Sequence, residues 1–555
     1  MQTAAAYGET GFSRTIGSDT VWTKTGSPYT LDGNVLVEED ATLTIEPGVT
    51  VNLGHNIIQV NGTLKVQGSV SDKIVFTTEN KVIYDRFTPL GGFSFGDQSS
   101  NCIIENTILE TTVFTYYNCK NSITLNNNYF KDQQTPTTSG SLGVTPTIRG
   151  SGNATITNNI FTGRIQLGCS AYVVNNTFTK GGIDGFNGGF YIVNNTIDGV
   201  ESSGTNGYGI SLEMVKPTVI SDNHISQYSE ACIRLYDGPA VIQRNHLESR
   251  PDMDGYPFFG LEIDGCSPLI QNNTITNTGV AVCLRDSGAK LAKPTFQYNN
   301  IYDNLNSNIF LGYPARPGYK PVDYTALSYI NAANNWWGTT DNQEISQTMH
   351  DSKNQADLGK IQFNPYLTTP NTQATPNPNA PIPAIKQVSA VQFLVATMEN
   401  GQKVELTMFG NLRISQHVQI NVTTNFAALQ TNITFMVGGE KQENSFFNLT
   451  IPKSVVAYGD SPTVYASGIG NSKMSIKNQG CSQDNENYYV WCTTSFNDGV
   501  YDPLTIEFSN PPQTLITNPL FIIGITATII AIAGLTIFAF TKKKNPKTNM
   551  PSQGL

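Results

Sequence analysis

Between Asn106 and Asn335 the polar and apolar positions fall into a repeated pattern: an asparagine, a variable residue, then an apolar one. It reads ENTI at Asn106, NNYF at Asn128, NNIF at Asn159, NNTF at Asn176, NNTI at Asn195 and DNHI at Asn223. RNHL at Asn245, NNTI at Asn273, NNIY at Asn300 and NNWW at Asn335 complete the series, at intervals mostly in the twenties. In Val219-Ile220-Ser221-Asp222-Asn223-His224-Ile225 apolar residues stand three before and two after the asparagine, so strict alternation breaks there. Such a break marks a bend between two short strands. Asparagine is the non-glycine residue best able to take the left-handed conformation a bend needs. Coils stacked ~4.8 Å apart would set these amides in a column, each donating to the carbonyl oxygen of the next.

A second strand family shares the period: Ile210-Ser211-Leu212, Ile233-Arg234-Leu235, Leu261-Glu262-Ile263, Val282-Cys283-Leu284 and Ile309-Phe310-Leu311. The first and third residues of each are expected to point inward and the middle one outward. Short strands, no helical period and repeats of this length predict an all-β chain with a right-handed parallel β-helix over residues 21–367. Dense alternation from Asn34 to Phe76 starts the solenoid. WWGTTD, a short helix near Ile345–Met349 and LGKIQFNPYLT cap its far end. Residues 1–20 are expected to be a flexible lead-in, and Pro/Thr/Asn-rich residues 368–384 an extended linker. Short alternating runs over 385–510 (VQFLVATM, KVELTMF, VQINVTTN, ITFMVGG, YYVWCTT and others) predict an immunoglobulin-like β-sandwich.

Leu520 to Phe540 carries no charge and is overwhelmingly apolar, and Lys542, Lys543, Lys544 and Lys547 follow it. As a helix it spans about 31 Å at 1.5 Å per residue, the thickness of a bilayer's hydrocarbon core. Positive charge stays cytoplasmic. Residues 511–519 then read as a stalk, 520–540 as one transmembrane helix and 541–555 as a cytoplasmic tail, with the bulk outside a cell membrane. Met1 to Ser18 contains no apolar leader core, so the leader such export needs is expected upstream of this start.

Charged residues are 14% and the net charge is −10, with no basic stripe, which sets nucleic acid aside as a partner. Of eight cysteines, Cys481 and Cys492 flank an aromatic strand and suggest a hairpin disulfide. Asn421, Asn432 and Asn448 lie in N-x-T sequons and are glycosylation candidates.

Chemistry is expected on the outward face of the second strand family. Stacking there gathers Ser211, Arg234 and Glu262 in one column and Glu213, Tyr236, Asp264 and Arg285 in the next. Glu262 and Asp264, two apart on a strand, would hold carboxyls roughly 6–7 Å apart, bordering the ~6.5–9.5 Å gap of inverting glycosidases. A lyase would use Arg234 or Arg285 as base or uronate clamp. Cross-strand charge pairing alone would produce the same columns. His224 and His246 occupy equivalent positions on adjacent coils and could share a metal, with no third ligand in register. Asp252 and Asp254 could hold calcium in a loop. Trp336, Trp337, Tyr116, Tyr117, Tyr313 and Tyr319 are weaker candidates for stacking on sugar.

TLTIEPGVTV, VNGTLKVQG, the N-N-x-[IF] coils and the terminal NNWWGTTD…IQFNPYLT resemble the pectate-lyase-like β-helix proteins of archaeal and bacterial surfaces, which overlap the NosD-like and carbohydrate-associated β-helix groups. The likeness covers about Val21 to Thr369. FNLTIPKSVVAYGDSPTVY is similar to membrane-proximal domains of archaeal surface proteins. Anchorage, a stalk domain and the lack of catalytic motifs point to cell-surface display or adhesion, with a solenoid face offered to cell-surface or environmental glycans or to neighbouring cells. Alternatives are an anchored polysaccharide lyase or glycoside hydrolase, and a metal-handling protein of the NosD-like kind. The polygalacturonase and pectate-lyase motifs are missing, and no cofactor is expected.

Overall fold

The computed structural model describes residues 2–3, 14–78, 91–110, 113–119, 122–131, 147–199, 207–249, 252–253, 256–312, 314, 329–415, 419–438, 444–467, 473–495 and 502–509. The predicted stalk, transmembrane helix and cytoplasmic tail lie outside these residues. No helix among the described residues is long and apolar enough to cross a membrane.

Residues 14–362 wind into a parallel β-helix with three parallel sheets. The first runs through Tyr208–Glu213, Ala231–Tyr236, Phe259–Asp264, Val280–Arg285 and Ser307–Leu311. The second runs through Thr218–Ser221, Ala240–Gln243, Leu269–Gln271 and Thr295–Gln297. The third, of twelve strands, includes Thr196–Asp198, His224–Ser226, His246–Glu248 and Thr274–Thr276. Rows of identical register fill the interior. Phe130, Phe161 and Phe178 stack at centroid distances of 4.6 and 4.8 Å, and Ile197, Ile225, Leu247 and Ile275 continue that row.

The asparagine column exists, with two refinements. The left-handed residue is the one before the ladder asparagine: Asn127, Asn158, Asn175, Asn194, Asp222, Arg244, Asn272, Tyr298 and Asn334 all have positive φ. The ladder residue itself is buried, and its backbone N–H and amide both donate to the Oδ1 of the next coil's asparagine. Asn195 does so to Asn223 at 2.9 Å, and Asn223 to Asn245 at 3.0 and 2.9 Å. In NNIY the ladder position is Asn299, not Asn300, because Asn299 accepts from Asn273 and donates to Asn335. The column satisfies every polar group it buries, which is the condition for burial without penalty.

Several expected boundaries move. Within the expected lead-in, Arg14–Ile16 already pairs with Val35–Val37 and Gln2–Thr3 with Thr20–Val21. The cap helix is Asn342–Gln347, started by Asp341, whose side chain accepts from the N–H groups of Gln343 and Glu344. The segment expected to be a free linker is a strap along the column of left-handed bends. Asn371 Nδ2 donates to Asn272 Oδ1 and the Tyr298 carbonyl, and Asn377 N–H to Asp222 Oδ1. Arg244 reaches the Pro381 carbonyl, and Ile382, Ile385 and Val388 then pack on Val219 and Val241.

Residues 391–509 fold around their own apolar core, centred on Leu394, Leu406, Ile433, Phe435, Leu449 and Val490. Their strands form one hydrogen-bonded network, because Val391–Met398 pairs with both Lys403–Gly410 and Ile420–Asn425, and the network folds over on itself: Phe435 meets Phe447 at 6.1 Å and Tyr488 meets Phe508 at 4.9 Å across the core. Lys290–Leu291 of the solenoid adds to this sheet beside Phe393 and Leu394, and Lys293 pairs with Glu405 at 2.7 Å. The predicted disulfide is absent. Antiparallel register sets Cys481 opposite Val490 and Cys492 opposite Gln479, leaving both as free thiols. Diagonal neighbours stand ~7–8 Å apart, outside the ~4.4–6.8 Å window of a disulfide. Asn421 is exposed, whereas Asn432 and Asn448 are half-buried with shielded amide oxygens.

Candidate functional site

The site forms because alternate residues of the first sheet have no choice of face. Ile210, Leu212, Ile233, Leu235, Leu261, Ile263, Val282 and Leu284 are fully buried in the core, so the residues between them must point out. Register aligns Ser211, Arg234, Glu262, Cys283, Phe310 and His350 in one outward column and Glu213, Tyr236, Asp264 and Arg285 in the next.

Two carboxyl groups lie at its centre. Glu262 and Asp264 face outward, yet their side chains are only 3% exposed. Arg285 grips both: Nε and Nη2 donate to the two oxygens of Asp264, and Nη2 also lies 2.7 Å from Glu262 Oε1. The gap between the carboxyls, where an inverting hydrolase would seat its water, therefore holds a guanidinium. Arg234 approaches from the other side. Its Nη1 donates to Glu213 Oε1 at 2.8 Å, and its Nε stands 4.0 Å from both Glu262 and Asp264. That Nε is buried without a hydrogen-bond partner among the described residues. The rings of Tyr208 and Tyr236 flank the guanidinium at 5.4 and 5.3 Å.

Burial pushes the Glu262 carboxyl up to about 7; Arg285 and Arg234 pull it down, while Asp264 and Glu230 reinforce the rise. Glu262 can hence hold or release a proton near neutrality beside two cations that are each 20% exposed. Burial also drives the Cys283 thiol well up, so it stays protonated and inert. Beside the strip Phe259, Val280 and Cys283 cluster with Tyr208 and Phe310, and towards the cap Phe310 stacks on His350 at 3.9 Å.

A second cluster lies on the third sheet. His224 and His246 are paired in register with rings stacked at 4.9 Å. Glu248 Oε1 lies 3.7 Å from the Nε2 of His224 and 3.6 Å from that of His246, and one donor atom from each residue falls within 4.8 Å of the others. Two imidazoles and a carboxylate at that spacing fit around a single transition-metal ion. The expectation of no third ligand in register fails because Glu248 comes from the same strand, two residues beyond His246. The signal was the alternation in His246-Leu247-Glu248, which puts the first and third side chains on one face.

The remaining candidates lie elsewhere in the chain or outside the described residues. Asp252 begins the short strand Asp252–Met253, and Asp254 lies outside the described residues. Trp337 is a core residue of the cap, and Trp336 is half-buried with its backbone paired to Asn299 and Ile301. Tyr116 and Tyr117 belong to the strand Val113–Cys119, and Tyr313 and Tyr319 lie outside the described residues.

Residues 143–261 match the family model described as periplasmic copper-binding protein (NosD). That span contains Arg234, His224, His246 and Glu248 and stops one residue before Glu262. No curated protein matches the chain. Among solved structures, the periplasmic alginate epimerase AlgG is 12% identical, with 63% of this chain and 75% of that one covered at a TM-score of 0.29. A tailspike protein, gp49 of Acinetobacter baumannii bacteriophage Fri1, described as a capsular polysaccharide depolymerase, is 10% identical over 85% of this chain and 80% of that one, at a TM-score of 0.23. The Dettilon tailspike protein gp208 is 10% identical over 90% and 87%, at 0.20. Likeness at this level carries nothing about activity.

Proposed function

We propose that the protein is a surface-anchored solenoid that binds an acidic glycan on the outward face of its first sheet. Arg234 and Arg285 clamp the glycan's carboxylates, Glu262 and Asp264 form the floor, and Glu213 and Tyr236 form the rim. The observation that carries this reading is the burial of two carboxyl groups on a face that strand geometry turns to solvent. Taking charges out of water costs several kcal/mol per ion, and pairing offsets it only where hydrogen bonding is complete. Arg234 Nε has no such bond, so charge pairing for its own sake accounts poorly for the arrangement. Planar guanidiniums suit carboxylates, and the Tyr208 and Tyr236 rings offer faces for sugar rings. Residues 520–540, followed by lysines, are the feature that supports placing this face outside a cell membrane.

The test incubates the protein with uronate-containing and neutral polysaccharides, following both retention and products. Selective retention of uronate polymers, lost in Arg234→Gln, is expected. Equal retention of neutral and acidic polymers, or none, overturns the reading. Shortened or unsaturated oligosaccharides that vanish in a Glu262→Gln/Asp264→Asn double variant would make the protein an anchored lyase or hydrolase instead of a binder.

A second reading rests on His224, His246 and Glu248, as a site for one copper or zinc ion. The matched family's description as copper-binding supports it, and the mixed nitrogen and oxygen donors suit either metal. Titration of the untagged protein should show one equivalent bound, abolished in His246→Ala. Failure to take up either metal stoichiometrically removes this reading.

A further inference from the structure

One end of the C-terminal domain carries an apolar tip that neither reading uses. The hairpin between Ile420–Asn425 and Gln430–Gly438 is Phe426-Ala427-Ala428-Leu429, and all four residues are exposed, Phe426 at 68% and Leu429 at 45%. Hairpin tips in water favour Asn, Gly and Asp, and four successive exposed apolar residues call for a functional reason. Leu429 also sits at φ 53°, a left-handed conformation that is sterically costly for a bulky side chain. A glycine or asparagine would relieve that strain, yet leucine is there. Tyr458 stands edge-on to Phe426 with ring centroids 5.9 Å apart. An aromatic ring with a polar tip beside purely apolar side chains is the composition of a water–lipid boundary.

Register fixes where this tip points. Thr431, just beyond the hairpin, pairs with Phe508, and the described chain ends one residue later at Ser509. Only residues 510–519 separate that exit from the apolar stretch 520–540, and ten residues reach at most about 35 Å. The solenoid contacts the other end: Met214, Val215 and Asp237 line a cleft with Ala390, Gln392 and Arg413. Tip and chain exit thus share the end that faces away from the solenoid. Glu399 and Asp460 also lie near this end, Glu399 accepting from Thr424 N–H and Asp460 donating its N–H to the Ser509 carbonyl. Their charge favours a neutral lipid surface over an anionic one.

We propose that the Phe426–Leu429 hairpin, with Tyr458 beside it, inserts into the interfacial layer of the bilayer that anchors the chain; this rests on reading 520–540 as the membrane span. The tether alone would leave the domain free to swing. A second, shallow apolar contact fixes its tilt, and with it the angle at which the solenoid stands.

The test reconstitutes the full chain in phosphatidylcholine vesicles with and without brominated acyl chains and compares Phe426→Trp with Phe409→Trp. Phe409 is 44% exposed and pairs with Val391 at the opposite end, which makes it the control. The unsubstituted chain supplies the background from the native tryptophans. Phe426→Trp should add blue-shifted emission that brominated lipid quenches at least twofold more than the Phe409→Trp emission. Equal, water-like emission from both overturns the proposal. Flotation of the same vesicles reads the anchor separately. A chain that floats without hairpin quenching removes the tip contact alone, and one that neither floats nor shows quenching removes the anchor as well.

Discussion

Replacing Glu262 by glutamine should make the protein more stable at pH 8 while leaving it nearly unchanged at pH 4. Burial raises the Glu262 carboxyl from 4.5 to about 7 in the folded chain. Below about pH 4 the group is protonated in both states and its burial carries no ionisation cost. As the pH climbs from 4.5, the unfolded chain releases a proton that the folded chain retains, so stability falls by about 1.4 kcal/mol per pH unit. The fall stops near pH 7, where the folded state ionises as well. The accumulated penalty is about 3 kcal/mol, already net of the attraction from Arg285 and Arg234. Glutamine keeps the shape without the titration, so the difference between variant and parent should grow over that window and then level off. Denaturant unfolding at pH 4, 6 and 8, with unchanged slopes, measures it. Titrating groups remote from Glu262 cancel in the difference. A gap that stays constant with pH, or one that narrows towards pH 8, refutes the argument that Glu262 is held above its ordinary value by burial.

Other expectations follow from the same contacts. Asn223→Ala orphans the Asn195 N–H and the Ile192 carbonyl, both buried, for a loss of about 2–6 kcal/mol at ~1–3 each; hydrogen exchange at the Asn195 amide should rise, and unchanged protection would contradict the ladder. Arg244→Ala leaves Asp222, fully buried and gripped at 2.7 and 2.8 Å, without its partner, at a cost of about 3–5 kcal/mol. Limited proteolysis should then cut within 371–388, a segment that resists cleavage in the parent. Alkylation of the denatured, unreduced protein should label both Cys481 and Cys492; finding both blocked until reduction would restore the disulfide.

The solenoid was legible because stacking repeats one constraint at every coil. Ile210, Ile233, Leu261, Val282 and Ile309 mark the inward row, and once their face is known the outward columns at Arg234 and Asp264 follow. The ladder slipped at ENTI, where Asn106 is the left-handed residue and Thr107 takes the stacked position, and at NNIY, where asparagine occupies two successive positions and the pattern cannot say which is stacked. Glu248 is not legible across coils because it lies on the same strand as His246, two residues further along. The strap was not legible at all. Its bonds use backbone groups and short polar side chains, as in Asn377 N–H to Asp222, and Pro/Thr/Asn composition looks the same whether a segment is free or docked. In the C-terminal domain alternation identified the inward faces of strands such as Gln430–Gly438, but nothing local says that Val391–Met398 pairs with both Lys403–Gly410 and Ile420–Asn425 in a single sheet.

The strap and the shared strand have a consequence for how the candidate site is presented. A flexible linker would let the solenoid sample many orientations above its anchor. Here Asn371 to Val388 is bound along four bends of the solenoid, and Lys290–Leu291 extends the sheet of the C-terminal domain. The loop that makes this junction begins five residues after Arg285, so the dock lies on the coil next to the one that carries Glu262 and Asp264. From the Val391 end to the Met398 end the domain's first strand spans about 27 Å at ~3.4 Å per residue. The dock sits partway along it, at Phe393 and Leu394, about 14–17 Å from the end where the chain leaves. If the exit end rests on a bilayer, Glu262 and Asp264 are held at a fixed standoff of a few tens of ångströms, and the ~60 Å solenoid (about a dozen coils at ~4.8 Å) projects at a fixed angle. An enzyme on soluble substrates would gain little from such rigidity. A protein that must meet a polymer layer at a set height above its own membrane gains a defined contact plane, which is the stronger physical reason to read the site as glycan-binding.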